Sequence, residues 1–468
     1  MATTTDVRPL AESWSAPPTL EDHLGEGRAA RERVPREQLA VLPDGVRDPM
    51  AILDEQDSTR VPELVPIRSE RMAASAFAFY RGTAALMAAD LARSPSSGLD
   101  VGSCGDAHVS NFGLFASPQR TLVFDLNDFD ESAWAPWEWD VKRLVTSIVI
   151  AGQSTNRDEK VVEDAALGAV RTYARALRSG ARRSPLKRYY DHFDADAAEE
   201  AVDPESAEAL HRAIKDAEKR TAARAVRKLT TVDPGGRLLF IEQPPTMTHV
   251  DPRIEARINE YIALYLSSAN VDIRVLMQKY HVTDIARRVV GVGSVGTRCY
   301  LISNADGDGN ALLLQAKEAS QSVLVQYGGI AQPEAVADFI ERQGEGGRVV
   351  AMQRILQAVS DPFLGHLRGT PVEGGPERSF YVRQFHDKKG GFDMDTLEDS
   401  AFRWYADACA TTLARAHGQS PNASVVSGYV GGGRVAGAAI LEWSYRYADL
   451  SRADWQLFRR HRGLDVSD

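Results

Sequence analysis

The segment Gly105-Asp106-Ala107-His108-Val109-Ser110-Asn111 sets an acid and an amide five positions apart between short apolar runs. In a loop joining strands, the Asp106 carboxylate can orient or deprotonate a hydroxyl while the Asn111 carbonyl ligates a divalent cation. Loop capping is the plain alternative, because Asp, His and Asn are common turn residues. Thirteen residues on, Phe124-Asp125-Leu126-Asn127-Asp128-Phe129-Asp130-Glu131 packs four carboxylates into eight residues at the end of an apolar stretch. Such density is costly without a cation or hydrogen bonds. Hard oxygen donors suit Mg²⁺, which takes one or two carboxylates together with substrate phosphates. An acidic surface turn is the competing reading. Calcium-loop spacing fails both here and at Asn304–Asn310, where Gln315 stands where an EF-hand needs Glu.

Further along, Gly291-Val292-Gly293-Ser294-Val295-Gly296 is a G-x-G-x-x-G. A dinucleotide fold needs strand, glycines, then helix. Here Thr297–Ile302 continues as strand, the context of a loop folded over nucleotide phosphates in kinases, with a ligand-free glycine hairpin as the alternative. The apolar run Leu312–Ala316 turns polar at Lys317, twenty-six residues after Gly291. A lysine on the strand behind a glycine loop can neutralise those phosphates.

The elements that must position these groups follow from periodicity. Residues 1–65, rich in Pro, Arg and acids, read as a loosely ordered arm with short helices. Helical spacing runs over 69–92, where Arg68, Arg71 and Arg81 suggest helix-surface or core-lid pairs, with anion binding as the alternative. Helices are also predicted over 136–180, 196–229, 253–280, 348–360, 400–418 and 438–460. Strands are predicted over 99–102, 112–115, 121–126, 285–293, 297–303, 311–319, 362–367 and 379–385, with a hairpin turn at 304–310. The expected class is α+β.

The composition narrows the function classes. A net charge of −10 and a pI near 5.6 argue against a bulk nucleic-acid binder. The basic aromatic stretch Arg178, Arg182, Arg183, Lys187, Arg188, Tyr189 and Tyr190 reads as a solvated helix end, with a polyanion contact as the rarer possibility. Three cysteines far apart make no disulfide scaffold or zinc site. With no apolar signal core and no run of ~18 apolar residues, the expectation is a cytoplasmic protein without a membrane partner.

Taken together these parts resemble the protein-kinase-like superfamily, especially its aminoglycoside and choline phosphotransferase branch. That branch carries H-G-D-x-H-x-x-N, then D-F-x, then an Asp-led helix start. This chain has Cys104-Gly105-Asp106-Ala107-His108-Val109-Ser110-Asn111, then Asp128-Phe129-Asp130, then Asp140 twelve residues later, and Thr412-Leu-Ala-Arg-Ala-His417 as an L-A-x-x-H helix. The order is that of a circular permutation, with the catalytic loop ahead of the glycine loop. At whole-chain level the sequence also resembles the bacterial family called domain of unknown function 2252, over most of residues 65–450.

The resemblance implies a two-lobed, circularly permuted kinase-like fold. Its parts would be an arm at 1–65, a large helical lobe at 66–280, a small β lobe at 281–390 and returning helices at 391–468. It implies an ATP- and Mg²⁺-dependent phosphotransferase acting on a hydroxyl of a small molecule or protein. Asp106 and His108 would be catalytic, Asn111 and Asp128 would hold the metal, and Asp125 or Asp130 would support them. Gly291, Gly293, Ser294, Gly296, Lys317 and Gln384 would bind nucleotide. Where kinases pair the lysine with a helix glutamate, Glu334, Glu341 or Gln353 are the candidates. The acceptor pocket is expected from 150–280 and the arm. Nucleotidyl transfer (AMPylation) and a nucleotide-binding pseudokinase keep the same groups. A metal-dependent hydrolase built on Asp106, His108, Asp125, Asp128 and Asp130 is the alternative of another class.

Overall fold

The computed structural model describes residues 16–193, 199, 202–289, 291–371, 374–385 and 388–464. Helix α1 (Leu20–Arg33) opens on a reciprocal capping box between Thr19 and Asp22. Helix α2 (Pro49–Ser58) starts with an Asp48 cap and Pro49 in its first turn. The expected loose arm is instead docked over its described residues, with Leu39, Leu53 and Leu64 buried. Residues 1–15 of that arm lie outside the described residues. Gly27 meets the backbone at 425–429 so closely that a Cβ would fall 2.0 Å from the Val425 carbonyl.

The single helix expected over 69–92 forms as three: α3 (Val65–Ala73), α4 (Ala76–Arg81) and α5 (Ala84–Leu91). Ser75 caps α4 through the Ala78 N–H at 3.0 Å, and Gly82-Thr83 separates it from α5. An alanine-rich pattern hides these breaks, because Ser and Gly interrupt a helix without disturbing its apolar stripe. Strands β1 (Asp100–Ser103), β2 (Phe112–Ala116), β3 (Leu122–Leu126) and β4 (Ala133–Pro136) pair antiparallel as β1–β4 and β2–β3. They frame the loops 104–111 and 127–132.

Helix α6 (Trp137–Ser154) is buried from Trp137 through Gly152, and α7 (Glu159–Ala181) packs beside it. Then come α8 (Pro185–Tyr189), α9 (Pro204–Lys219) and α10 (Ala222–Leu229), a small pair β5 (Thr230–Val232) and β6 (Leu238–Phe240), and β7 (Met247–His249). The part of the predicted 196–229 helix at 196–198 and 200–201 lies outside the described residues. Residues 253–280 split into α11 (Pro252–Ala256), α12 (Ile258–Ser268) and α13 (Val271–Met277).

Strands β8 (His281–Arg288), β9 (Cys299–Ala305) and β10 (Ala311–Ala319) follow. After them come α14 (Val323–Gln326), α15 (Glu334–Leu356), β11 (Gly365–Gly369) and β12 (Arg378–Gln384). One antiparallel sheet runs β11-β12-β10-β9-β8-β7, and Lys317 stands opposite Cys299 and Tyr381. Helix α15 begins earlier than the expected 348 because it kinks at Gly344 (φ 74) and passes β12 closely. A Cβ on Gly346 would sit 2.2 Å from the Phe380 carbonyl. The chain closes with α16 (Asp399–His417), α17 (Ala423–Val430), which the pattern did not predict, and α18 (Arg434–His461). The class is mixed α+β. The main core joins α6, α7 and α16, and two smaller clusters cover the sheet faces. Among the described residues no helix is long and apolar enough to cross a membrane.

One core residue carries a stability prediction. Lys142 is fully buried, its Nζ lacks a hydrogen-bond partner, and it lies 4.6 Å from the Trp443 ring centroid. Burial pulls its pKa down to about 8 against the attraction of Glu138. The folded value lies below the ~10.4 of an unfolded lysine, so stability should rise as pH climbs from about 8 through that range. Lys142→Met keeps the volume and removes the charge. It should raise the urea midpoint at pH 7 by the equivalent of roughly 1–3 kcal/mol; a lowered midpoint would contradict this account.

Candidate functional site

Strand β1 delivers the chain into Cys104-Gly105, where only glycine fits. Gly105 has φ +83, and a Cβ there would lie 1.9 Å from the Glu131 carbonyl. In the first turn of α6, Asp140 accepts the Cys104 N–H at 2.8 Å and the Gly105 N–H at 3.0 Å. Its Oδ2 is 3.2 Å from His417 Nε2, and His417 Nδ1 lies 2.8 Å from the Tyr173 hydroxyl. One turn on, Arg143 Nε donates to Asp106 Oδ1 at 2.8 Å and Nη2 to the Tyr80 carbonyl at 2.7 Å. A single helical turn therefore fixes both the backbone of the loop and its carboxylate.

The charges in this loop are strongly shaped by burial. Burial pushes the Asp106 carboxyl above the ordinary range, although Arg143 pulls it down. His108 Nε2 stands 3.6 Å from Asp106 Oδ2, and burial with the charges of Arg143 and Arg81 holds the imidazole neutral. Asn111 Nδ2 donates to the Asp106 carbonyl at 2.6 Å, so its amide oxygen is the atom left to take a cation.

The acidic segment after β3 divides into two groups. Lys317 Nζ donates to Asp130 Oδ2 at 2.6 Å and lies 3.8 Å from Asp128 Oδ1. The lysine is 3% exposed and the Asp128 side chain 37%, so the free rim of the pair is Asp128. Burial opposes the Lys317 charge, but Asp128 and Asp130 raise its pKa well above normal. Burial likewise opposes ionisation of Asp128, yet Lys317, Arg383 and Lys389 hold it below the usual carboxylate value. The acidic partner of Lys317 is thus Asp130, and not Glu334, Glu341 or Gln353. Helix α15 contributes Arg348 instead, whose Nη2 donates to the Asp130 carbonyl at 2.8 Å and the Ser320 carbonyl at 2.9 Å.

Asp125 stands apart. Its carboxylate is taken up by the Leu126 N–H at 2.9 Å, the Ala358 N–H at 2.8 Å and Arg415 at 3.2 Å. It lines neither cavity of the cleft and joins β3 to the turn after α15 and to α16.

The glycine loop bridges β8 and β9 and is pinned from below. Arg71 donates to the Gly291 carbonyl at 2.6 Å, Arg60 to the Val295 carbonyl, and the Val61 N–H to the Gly296 carbonyl at 2.9 Å. Gly296 lies under Arg60 and lines neither cavity. The first cavity, of about 700 Å³, contains Lys317, Gln315, Asp361, Arg383, Gln384 and Lys389. The second, of about 270 Å³, contains Asp106, His108, Asp130, Glu131, Gly293 and Arg60. Arg81, Asn111, Asp128, Gly291 and Ser294 border both. The far wall of the second cavity comes from 56–60 and 318–327, and nothing from 150–280 lines it. Among the described residues no group of three or more His, Cys, Asp or Glu can hold a metal by itself.

Sequence reasoning passed over several contributors. Glu131 is pushed up to about 7 by burial and Lys389 down to about 8 by burial and Arg383. Arg143 carried a usable signal, since it stands three residues after Asp140 and shares its helix face. The three arginines 68, 71 and 81 separate: Arg68 pairs with Asp57 at 2.8 Å, Arg71 holds the glycine loop, and Arg81 reaches the cleft.

The bacterial family described as an uncharacterized conserved protein, DUF2252, matches residues 60–461. The chain belongs to the DUF2252 family. No curated protein and no solved structure matches it. The DUF2252 span includes both loops, the glycine loop and Lys317. It leaves out Gln56 and Thr59, which border the second cavity.

Proposed function

We propose that this DUF2252 chain is an ATP- and Mg²⁺-dependent phosphotransferase of circularly permuted, two-lobed kinase-like build, acting on a hydroxyl of a small molecule or protein. The observation that carries the reading is the wall shared by the two cavities. Asp128 stands on that wall, with Lys317 in the cavity we assign to the nucleotide and Asp106 in the other.

The donor set fits Mg²⁺, since Asp128 and the Asn111 amide oxygen are hard oxygens and too few to bind a metal without phosphates. When bound, Mg²⁺ would supply charge neutralisation at the phosphates. Lys317, kept cationic by Asp128 and Asp130, binds and orients the nucleotide phosphates. The Gly291–Ser294 backbone covers them. Gln384 lies at the end of β12, where the chain leaves the sheet, and borders the adenine side. Asp106, oriented by Arg143, receives the acceptor proton. Most of the rate gain in such transfers comes from positioning and charge neutralisation.

Calorimetry tests the reading. Wild type should bind Mg·ATP, lose at least about tenfold in affinity without Mg²⁺, and lose at least about tenfold in Lys317→Ala. A folded wild-type protein that binds no ATP at millimolar concentration would falsify the proposal.

A further inference from the structure

Arg81 ends α4 and borders both cavities. It makes no hydrogen bond or ion pair with any described residue, and its buried Nε has no partner. Four other arginines around it are each held by an acceptor: Arg143 by Asp106, Arg71 by the Gly291 carbonyl, Arg60 by the Val295 carbonyl and Arg68 by Asp57. A guanidinium partly withdrawn from water without an acceptor is costly, and that cost is recovered only when an anion arrives.

The position of Arg81 is held from two sides. Its own carbonyl lies under the glycine loop, 3.3 Å from where a Cβ on Gly293 would stand. Arg68 Nη2 donates to the next carbonyl, Gly82, at 3.3 Å. Asp106 is near enough to counter the loss of charge that burial imposes on Arg81. Among the described residues that border both cavities Arg81 is the one cation, and it stands between the proposed nucleotide and acceptor sides.

We propose that Arg81 binds the terminal phosphoryl group of the nucleotide and stabilises its charge during transfer, an arginine supplied from within the same chain. The inference rests on the phosphotransferase reading. In the step, the acceptor oxygen forms a bond to the γ-phosphorus while the bond to the β–γ bridging oxygen breaks. The hydroxyl proton passes to the Asp106 carboxylate, and the electron pair of the broken bond leaves on ADP. Arg81 donates N–H bonds to the peripheral oxygens and changes no covalent bond.

The test is calorimetry of the full chain with Mg·ADP and with the non-hydrolysable Mg·AMPPNP, for wild type, Arg81→Met and Arg81→Lys. Wild type should prefer AMPPNP by about tenfold or more, the size of a charged hydrogen bond. Arg81→Met should keep its ADP affinity within about twofold and lose the preference, with Arg81→Lys between the two. Because Arg81 has no hydrogen-bond or ion-pair partner among the described residues, Arg81→Met should melt no lower than wild type. A preserved preference in Arg81→Met, an equal loss for both nucleotides, or a lowered melting point would overturn the assignment. Wild type that binds both nucleotides equally would sink Arg81 alone. Wild type that binds neither would sink the phosphotransferase reading, and Arg81 with it.

Discussion

Asp106→Asn should bind Mg·ATP within about twofold of wild type and turn it over at least about 100-fold more slowly, the usual range for losing a general base. The amide keeps an oxygen for Arg143 Nε, which lies 2.8 Å from Oδ1 in the native loop, so the fold and the nucleotide side should be undisturbed. What is lost is the proton acceptor.

Burial raises the Asp106 carboxyl although Arg143 lowers it, so the group protonates at a higher pH than an exposed aspartate. The wild-type rate should therefore fall as pH drops through that raised value, and Asp106→Asn should lack this acid limb. ADP release across pH 4–8 reads both effects. A variant turning over at the wild-type rate would remove Asp106 from the chemistry.

The second large effect is structural. Asp140→Ala should cost about 3–5 kcal/mol, because it strips a buried carboxylate from its partners. Two backbone N–H groups, on Cys104 and Gly105, would be left without acceptors, and His417 would lose its carboxylate. The loop that carries Asp106 would then lack its anchor, so nucleotide turnover should fall along with the urea midpoint. Asp140→Asn retains one acceptor oxygen and should recover part of the stability. An Asp140→Ala protein with an unchanged midpoint would mean that the loop is held by packing around Gly105 and Glu131 instead.

The local secondary structure was largely legible in the residues themselves. Strand limits near 100, 112, 122, 299 and 311 follow from apolar runs bounded by turn residues, and the structure has β1, β2, β3, β9 and β10 there. The glycines at 291–296 were readable as a strand-to-strand loop because Thr297–Ile302 has no helical spacing. Helix breaks at Ser75 and Gly82 were not legible, since neither residue interrupts the apolar stripe that marks a helix.

Long-range pairing lay beyond any pattern. Asp125 and Asp128 have the same side chain three residues apart, yet one faces Arg415 across 290 positions and the other faces Lys317. Lys317 takes Asp130 from a loop 187 residues away, while α15, which carries Glu334 and Glu341, presents Arg348. Arg81 and Arg143 are both arginines on helices, yet Arg143 pairs with Asp106 while Arg81 has no hydrogen-bond partner among the described residues. Residue type and spacing therefore name the groups able to do chemistry. Which of them remain uncommitted depends on burial and on partners brought from distant parts of the chain, because a charge removed from water must find its counter-charge wherever the fold places one.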